Sequence, residues 1–235
     1  MLIINKKRIY FILTTIMVSI ISFSVFSKAE NTVQIVSLPV SGKTIVLDAG
    51  HGLPDQGAES TEGITEASIN LKIVKKVQSL LEQSGCNVVL TRSDENGIYD
   101  LNSNTIREKK VSDIKNRVKI GNESSADVFI SIHLNKIPQS QYYGWQTFFK
   151  VNNQESEELA KSVQEELNSS IQRENKREAL KITGKYIIEH VEVPITIIEC
   201  GFLSNPEEKI LLQQDAYQDR LAWGIYNGIM DYFYE

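Results

Sequence analysis

The stretch KTIVLDAGHG, residues 43–52, begins the pattern from which the fold can be predicted. A short β-branched and apolar run leads here into a glycine-rich loop. The next segment, TEASINLKIVKKVQSLLEQSG at residues 65–85, carries apolar residues at helical spacing and ends at a glycine. The apolar segment CNVVLTR follows at residues 86–92. A strand, a helix and a strand in this order indicate a parallel sheet.

The alternation continues along the chain, except in residues 173–193, for which the pattern favours no single structure. We predict a helix at about residues 109–122, strands at 126–135 and 144–151, a helix at 156–172, a last strand at 194–199 and a final helix at about 215–233. The whole pattern predicts a single α/β domain over residues 43–235, with a mostly parallel, twisted sheet covered by helices on both faces. If one strand runs antiparallel, we expect it to be the strand after the second strand–helix pair.

The N-terminal residues have the composition of an export signal. Lys6, Lys7 and Arg8 precede an uncharged, mostly apolar run over residues 9–26, and the small residues Ser27 and Ala29 would permit cleavage after Ala29. An uncleaved membrane anchor is the alternative, since the run is about long enough to span a bilayer. Residues 1–29 are therefore predicted to be a signal peptide or an N-terminal anchor, and residues 30–42 a linker. Both alternatives place the domain outside the cytoplasm, and only the second makes the membrane a partner.

The overall composition excludes one class of partner. The chain has 235 residues, 41% of them hydrophobic, and a formal net charge of −5. This charge argues against a nucleic-acid-binding surface built on bulk positive charge. Cys86 and Cys200 are expected to be small buried apolar residues, with a single disulfide between them as the alternative for an exported protein.

Four scarce polar residues are expected to meet at one edge of the sheet. His51, His133 and Glu199 each follow the apolar run of a predicted buried strand, and Glu66 begins the helix after the His51 loop. In an open parallel sheet, ligands bind at the carboxyl ends of the strands. Two histidines and one glutamate form a common ligand set for catalytic zinc. A further carboxylate, here Glu199, can then act as the general base.

Each of these residues also has a structural explanation. A histidine after a strand, such as His51, is usually a hydrogen-bonded structural residue. Glu66 can complement the dipole of its helix, and its position alone favours that explanation. Glu199 can pair with a lysine or an arginine. We expect His190 to have a structural or substrate-side role.

Five sequence blocks resemble a known family. They are IVLDAGHGLPDQGA, EASINLKIVKKV, VVLTR, ADVFISIHLN and IIECGFLSN, and they occur in the order found in zinc-dependent N-acetylmuramoyl-L-alanine amidases of the Amidase_3 type. The resemblance covers residues 43–235. The short export segment and the lack of wall-binding repeats resemble the members that modify spore cortex peptidoglycan during sporulation and germination.

The resemblance implies a role for each candidate residue. His51, Glu66 and His133 match the zinc ligands, and Glu199 matches the catalytic carboxylate. The implied reaction is hydrolysis of the amide between N-acetylmuramic acid and L-alanine in peptidoglycan, as a step towards muramic-δ-lactam in cortex. An activating or regulatory protein partner is possible.

Two other functions fit the same sequence. The first is a zinc peptidase that acts on the stem peptides of peptidoglycan. The second is a catalytically inactive, membrane-tethered protein that binds peptidoglycan. The products released from peptidoglycan would separate these alternatives.

Overall fold

The computed structural model describes residues 6–27 and 37–234, with only the backbone of residues 23–27. The chain divides into two compact units, residues 1–37 and 38–235. The first contains helix α1, Lys6–Ser27. Among the helices described, none combines the length and the apolar content needed to cross a membrane. The predicted cleavage after Ala29 and residues 30–36 of the predicted linker lie outside the described residues.

The second unit alternates strands and helices, as the sequence predicts. Its elements are β1 Thr44–Ala49, α2 Glu66–Gln83, β2 Asn87–Leu90, α3 Ile106–Glu123, β3 Val128–Asn135, β4 Gln146–Lys150, α4 Gln154–Ser170, β5 Leu180–Ile182, α5 Tyr186–His190, β6 Ile195–Phe202, α6 Pro206–Leu211 and α7 Asp215–Tyr234.

Six described strands form one sheet in the order β2-β1-β3-β6-β4-β5. The strands β2, β1, β3 and β6 are mutually parallel, which confirms the mostly parallel sheet. The expectation of an antiparallel strand after the second strand–helix pair is wrong, because that strand is β3. The direction reverses at β4, which pairs antiparallel with β6, and β5 pairs parallel with β4 and so shares its direction. No helix separates β3 from β4, and a connection without a crossover suits a reversal of direction.

Helices cover both faces of this sheet. Alternate residues of β1 point to opposite sides, so Ile45 and Leu47 join one core cluster and Val46 joins the other. The first cluster is closed by apolar residues of α2, α4 and α7. The second is closed by residues of α3 and α5. The central strands β1, β3 and β6 are therefore buried between helices, as expected for parallel strands, whereas the edge strands β2 and β5 are partly exposed.

Several local features differ from the sequence pattern or extend it. The helix expected from about residue 109 begins at Ile106, because Thr105 and Glu108 form a capping box before it. Residues 173–193, for which the pattern favours no single structure, contain β5 and α5. Cys86 and Cys200 are free and buried, as expected for small apolar residues.

The compact unit also includes residues that precede position 43. Val40 is fully buried in the larger core cluster. The carbonyl of Val40 accepts a hydrogen bond from the thiol of Cys86, and the Gly42 amide donates to the carbonyl of Gly85. Residues 38–42 are therefore packed against the domain.

Candidate metal centre and active site

The loop after β1 carries the first candidate residue. The Gly50 amide donates to the carbonyl of Ile132, which holds the loop against β3. His51 follows with a φ of 62°, in the left-handed region that non-glycine residues rarely adopt. A Cβ atom on Gly50 would lie 2.3 Å from Cε1 of His133. Glycine is thus the residue that lets this loop approach the His133 ring.

The other three candidates lie on regular elements. Glu66 is the first residue of α2, after Thr65, whose side chain caps the helix. His133 and Glu199 lie within β3 and β6, directly after the apolar runs of these strands. The two strands continue to pair beyond the apolar runs, and His133 and Glu199 are direct neighbours in their parallel register. Pairing therefore places the imidazole and the carboxylate side by side.

Three candidate donor groups converge in space. The Nε2 atom of His51 lies 3.4 Å from Oε1 of Glu66, and Nδ1 of His133 lies 2.9 Å from the same oxygen. One donor atom from each of these residues can be chosen so that all lie within 4.8 Å of one another. The His51 and His133 rings meet edge to face, with centroids 5.1 Å apart.

Backbone groups hold the Glu66 carboxylate in place. Its Oε1 accepts a hydrogen bond from the Leu134 amide at 3.0 Å, and its Oε2 accepts one from the Ala58 amide at 2.8 Å. Gly57 has a φ of 70°, and a Cβ atom there would lie 2.5 Å from Oε2 of Glu66. The loop before α2 therefore packs directly against the carboxylate.

Asp55 supports the first histidine, although the sequence reasoning did not identify it. Its Oδ2 lies 3.1 Å from Nδ1 of His51, and its Oδ1 pairs with the Lys110 ammonium at 2.9 Å. A carboxylate on the far nitrogen of a metal-binding histidine fixes the tautomer and the ring orientation. The available signal was an acidic residue four positions after a histidine in the same loop.

Hydrogen bonds at this site shift the pKa values of His51 and Glu66 in opposite directions. Burial lowers the pKa of His51, but hydrogen bonds with Asp55 and Glu66 outweigh it and raise this pKa to about 9. Burial raises the pKa of Glu66, yet the hydrogen bonds with His133 and His51 bring it well below its usual value. The pair is thus ionised near neutral pH, and a cation that binds His51 must displace its proton.

Glu199 has a different environment. Its Oε2 is buried and has no hydrogen-bond partner among the described residues. Burial raises the pKa of Glu199, although the nearby His133 opposes this shift. Burying a carboxylate oxygen without a hydrogen-bond partner costs folding free energy. Glu199 is therefore a candidate catalytic residue.

The donor set fits a zinc ion. A tetrahedral zinc ion with ligands at 2.0–2.1 Å separates its donor atoms by about 3.3 Å. The distances of 3.4 and 2.9 Å from the two imidazoles to Glu66 lie close to this value. Two neutral imidazoles and one carboxylate are also the donor chemistry of catalytic zinc sites, in which one position remains free for water.

His190 lies near the amino ends of the parallel strands, at the edge of the sheet opposite the candidate site. Its carbonyl accepts a hydrogen bond from Asn122, at the end of α3, shortly before β3 begins. Its ring stacks on Tyr186 at 3.8 Å, and its Nδ1 lies 2.9 Å from the Tyr186 carbonyl. These contacts are those of a structural residue of α5, and the substrate-side alternative does not agree with this location.

Fold and site together define an α/β protein with a His–Glu–His group at the carboxyl edge of its sheet. Residues 45–231 match the family model for N-acetylmuramoyl-L-alanine amidase, Amidase_3. The chain therefore belongs to the Amidase_3 family of N-acetylmuramoyl-L-alanine amidases, which confirms the resemblance seen in its sequence.

Individual relatives agree with this assignment. The chain is 40% identical over 199 residues to the germination-specific N-acetylmuramoyl-L-alanine amidase of Bacillus subtilis, a match that covers 85% of this chain and 83% of the relative. Its structure resembles that of the CwlD amidase of Clostridioides difficile, solved in complex with the GerS lipoprotein. The TM-score is 0.79 at 44% identity, with 81% and 98% of the two chains covered. An N-acetylmuramoyl-L-alanine amidase from Clostridium difficile 630 gives a TM-score of 0.71 at 32% identity, with 82% and 97% covered.

Proposed function

We propose that this protein is a zinc-dependent hydrolase that cleaves the amide bond between N-acetylmuramic acid and L-alanine in peptidoglycan. The observation that carries the proposal is the convergence of His51, Glu66 and His133 beside Glu199, whose buried Oε2 lacks a partner among the described residues. Membership of the amidase family supports the choice of bond.

In this proposal, His51, Glu66 and His133 hold the zinc ion. Zinc in such a site polarises a carbonyl group and lowers the pKa of water. Asp55 orients the His51 ring through Nδ1, and the Leu134 and Ala58 amides fix the Glu66 carboxylate. The chain thus prepares the ligand geometry before any substrate binds.

Glu199 moves the protons. Its carboxylate accepts a proton from the water that attacks the lactyl carbonyl carbon. It then delivers that proton to the nitrogen of L-alanine as the carbon–nitrogen bond breaks. The raised pKa of Glu199 suits both steps, because a general acid–base works best when its pKa lies near the working pH.

We further propose that the natural substrate is spore cortex peptidoglycan and that removal of the stem peptide is a step towards muramic-δ-lactam. The similarity to a germination-specific amidase and to a CwlD amidase supports this choice. The lipoprotein partner of the latter supports a regulatory protein partner for this chain as well. The sequence of residues 1–29 supports export, with either cleavage or retention of the N-terminal segment.

Digestion of purified cortex peptidoglycan with added zinc, followed by mass analysis of the products, tests the function. The expected products are intact stem peptides with a free L-alanine amino group, together with glycan strands that carry bare lactyl groups. Shortened stems still attached to muramic acid would point to a peptidase instead. Binding to peptidoglycan without any product, by protein that holds zinc, would identify an inactive binding protein.

A further inference from the structure

Two arginines are buried beneath the loop that carries His51. Arg92 follows β2 and Arg117 belongs to α3, and their exposed fractions are 3% and 2%. Neither β2 nor α3 carries any of the four candidate site residues. Buried arginines are rare unless their donors are satisfied, so the partners of these two side chains indicate what they do.

Arg117 binds the backbone on both sides of Gly50. Its Nη1 donates to the carbonyl of Ala49 at 2.6 Å, and its Nη2 donates to the carbonyl of His51 at 2.5 Å. The guanidinium is held from behind by Asp48 and Asp113, each at 2.6 Å. Its planar fork therefore reaches the loop at two carbonyls from a fixed position.

Arg92 binds the remaining carbonyl of the loop, that of Gly50, and also contacts the segment that carries Glu66. Its Nε donates to the carbonyl of Ala49 at 2.8 Å, and its Nη2 donates to that of Gly50 at 3.2 Å. The same Nη2 donates to the carbonyl of Ala67 at 2.7 Å. Ala67 directly follows Glu66, so one guanidinium joins the His51 loop to the first turn of α2.

Asp48 connects the segment that carries His133 to the same network. Its Oδ1 accepts from Arg117, and its Oδ2 accepts from the Ser131 hydroxyl at 2.6 Å. Ser131 lies two residues before His133 on β3, and it pairs with Asp48 in the sheet. The segments that carry His51, Glu66 and His133 are thus joined by one buried network.

We propose that Arg92 and Arg117 are positioning residues that hold these three segments at metal-binding distance. The inference rests on the metal site proposed above. The left-handed backbone of His51 is a disfavoured conformation, and the surrounding structure must hold it in place. Three consecutive carbonyls bound by two guanidinium groups supply that restraint.

The test compares lysine substitutions at the two positions. Arg92→Lys and Arg117→Lys keep the charge, but a lysine cannot reproduce the fork. The controls are Arg107→Lys, which makes the same change at an exposed position of α3, and Val118→Ala, which removes buried apolar volume next to Arg117. For each variant, zinc affinity is measured by competition with a chromophoric chelator. The visible spectrum of the cobalt(II)-substituted protein and the thermal midpoint are recorded as well.

We expect both lysine variants to bind zinc roughly 10–100-fold more weakly, the usual effect of removing groups that orient metal ligands. Their cobalt spectra should also change. Val118→Ala should lose thermal stability and keep both the zinc affinity and the spectrum, and Arg107→Lys should change nothing. Unchanged affinity and spectra in the lysine variants would overturn the proposal. An equal loss of affinity in Val118→Ala at equal loss of stability would do the same.

A milder variant covers the case in which Arg117→Lys does not fold. Asp113→Asn weakens the contact that orients Arg117 and leaves the guanidinium present, and the Asp113 side chain is 17% exposed. A weaker zinc affinity and an altered cobalt spectrum in this variant would support the proposal, and wild-type values would overturn it.

If the wild-type protein itself binds no zinc, the metal site fails together with the positioning role. If the wild type binds zinc and the variants bind it equally well, only the positioning role fails.

Discussion

Glu199 is suited to proton transfer because its carboxylate is poorly solvated. Parallel register with His133 puts it beside the proposed metal ligands, and burial raises its pKa. The side chains of the three proposed ligands are instead held by hydrogen bonds. In the proposed mechanism, single residues therefore divide the work: His51, Glu66 and His133 stay fixed, and Glu199 gains and loses a proton.

Glu199→Gln should separate these two roles. The amide keeps the size of the side chain but cannot accept a proton from water, so kcat should fall by roughly 10²–10⁴-fold. Zinc affinity should stay near the wild-type value, because Glu199 is not one of the proposed ligands. Release of stem peptides and zinc content, measured on the same preparation, check this prediction. A variant with nearly full turnover would remove Glu199 from its proposed role.

Gly50→Ala should damage the site through a steric contact. The added methyl group would lie 2.3 Å from Cε1 of His133, so the ring or the loop must move. We expect zinc affinity to fall about tenfold or more, as when the support of a ligand is lost. Gly63→Ala is the control, since a Cβ atom there meets nothing within 4 Å and its φ of 79° costs only about 1 kcal/mol. Chelator competition should find weaker zinc binding in the first variant only.

Short elements around the sheet support the end of β6. Helix α6 has six residues, yet its Glu208 is fully buried and reaches back to the strand that carries Glu199. Its two oxygens accept hydrogen bonds from the amides of Gly144 and Phe202, at 2.8 and 2.7 Å. Glu208 of α6 thus accepts hydrogen bonds from two backbone N–H groups, one of which belongs to Phe202, the last residue of β6.

Glu208→Gln should therefore destabilise the domain. A glutamine offers one acceptor oxygen and sets an N–H group against the other amide, so the free energy of unfolding should fall by about 1–3 kcal/mol. Glu207→Gln is the matched control, because the Glu207 side chain is 80% exposed and its substitution should cost about 0.5 kcal/mol or less. Urea unfolding of both variants measures the difference. Equal losses would show that the two amides find other acceptors.

At the scale of the whole molecule, the start of the domain can be tested by truncation. A chain that begins at Leu38 should keep the stability of the compact unit. A chain that begins at Lys43 loses the buried Val40 and the hydrogen bonds of residues 40–42, so it should be less stable by about 2 kcal/mol or more. Urea unfolding of both chains checks this. Identical midpoints and slopes would place the boundary at residue 43.

The sequence allowed prediction of those features that depend on local pattern. Strand and helix periodicity predicted the α/β domain, and the scarcity of histidine made His51 and His133 conspicuous. The roles of Arg92 and Arg117 could not be predicted in this way, because charged residues are usually exposed and only the tertiary fold shows their partners. The same holds for Val40, whose burial depends on distant residues, and for the direction of β4, which depends on its pairing with β6.

The order of the strands also affects how the protein can be made. The last strand along the chain, β6, lies between β3 and β4 in the sheet. A ribosome that has delivered the chain only as far as Pro194 leaves an unpaired edge on each of these two strands. The final segment then supplies the missing strand and Glu199 together. For the wall-degrading enzyme proposed here, an interrupted translation product would consequently lack its proton carrier and leave the cell's own peptidoglycan intact.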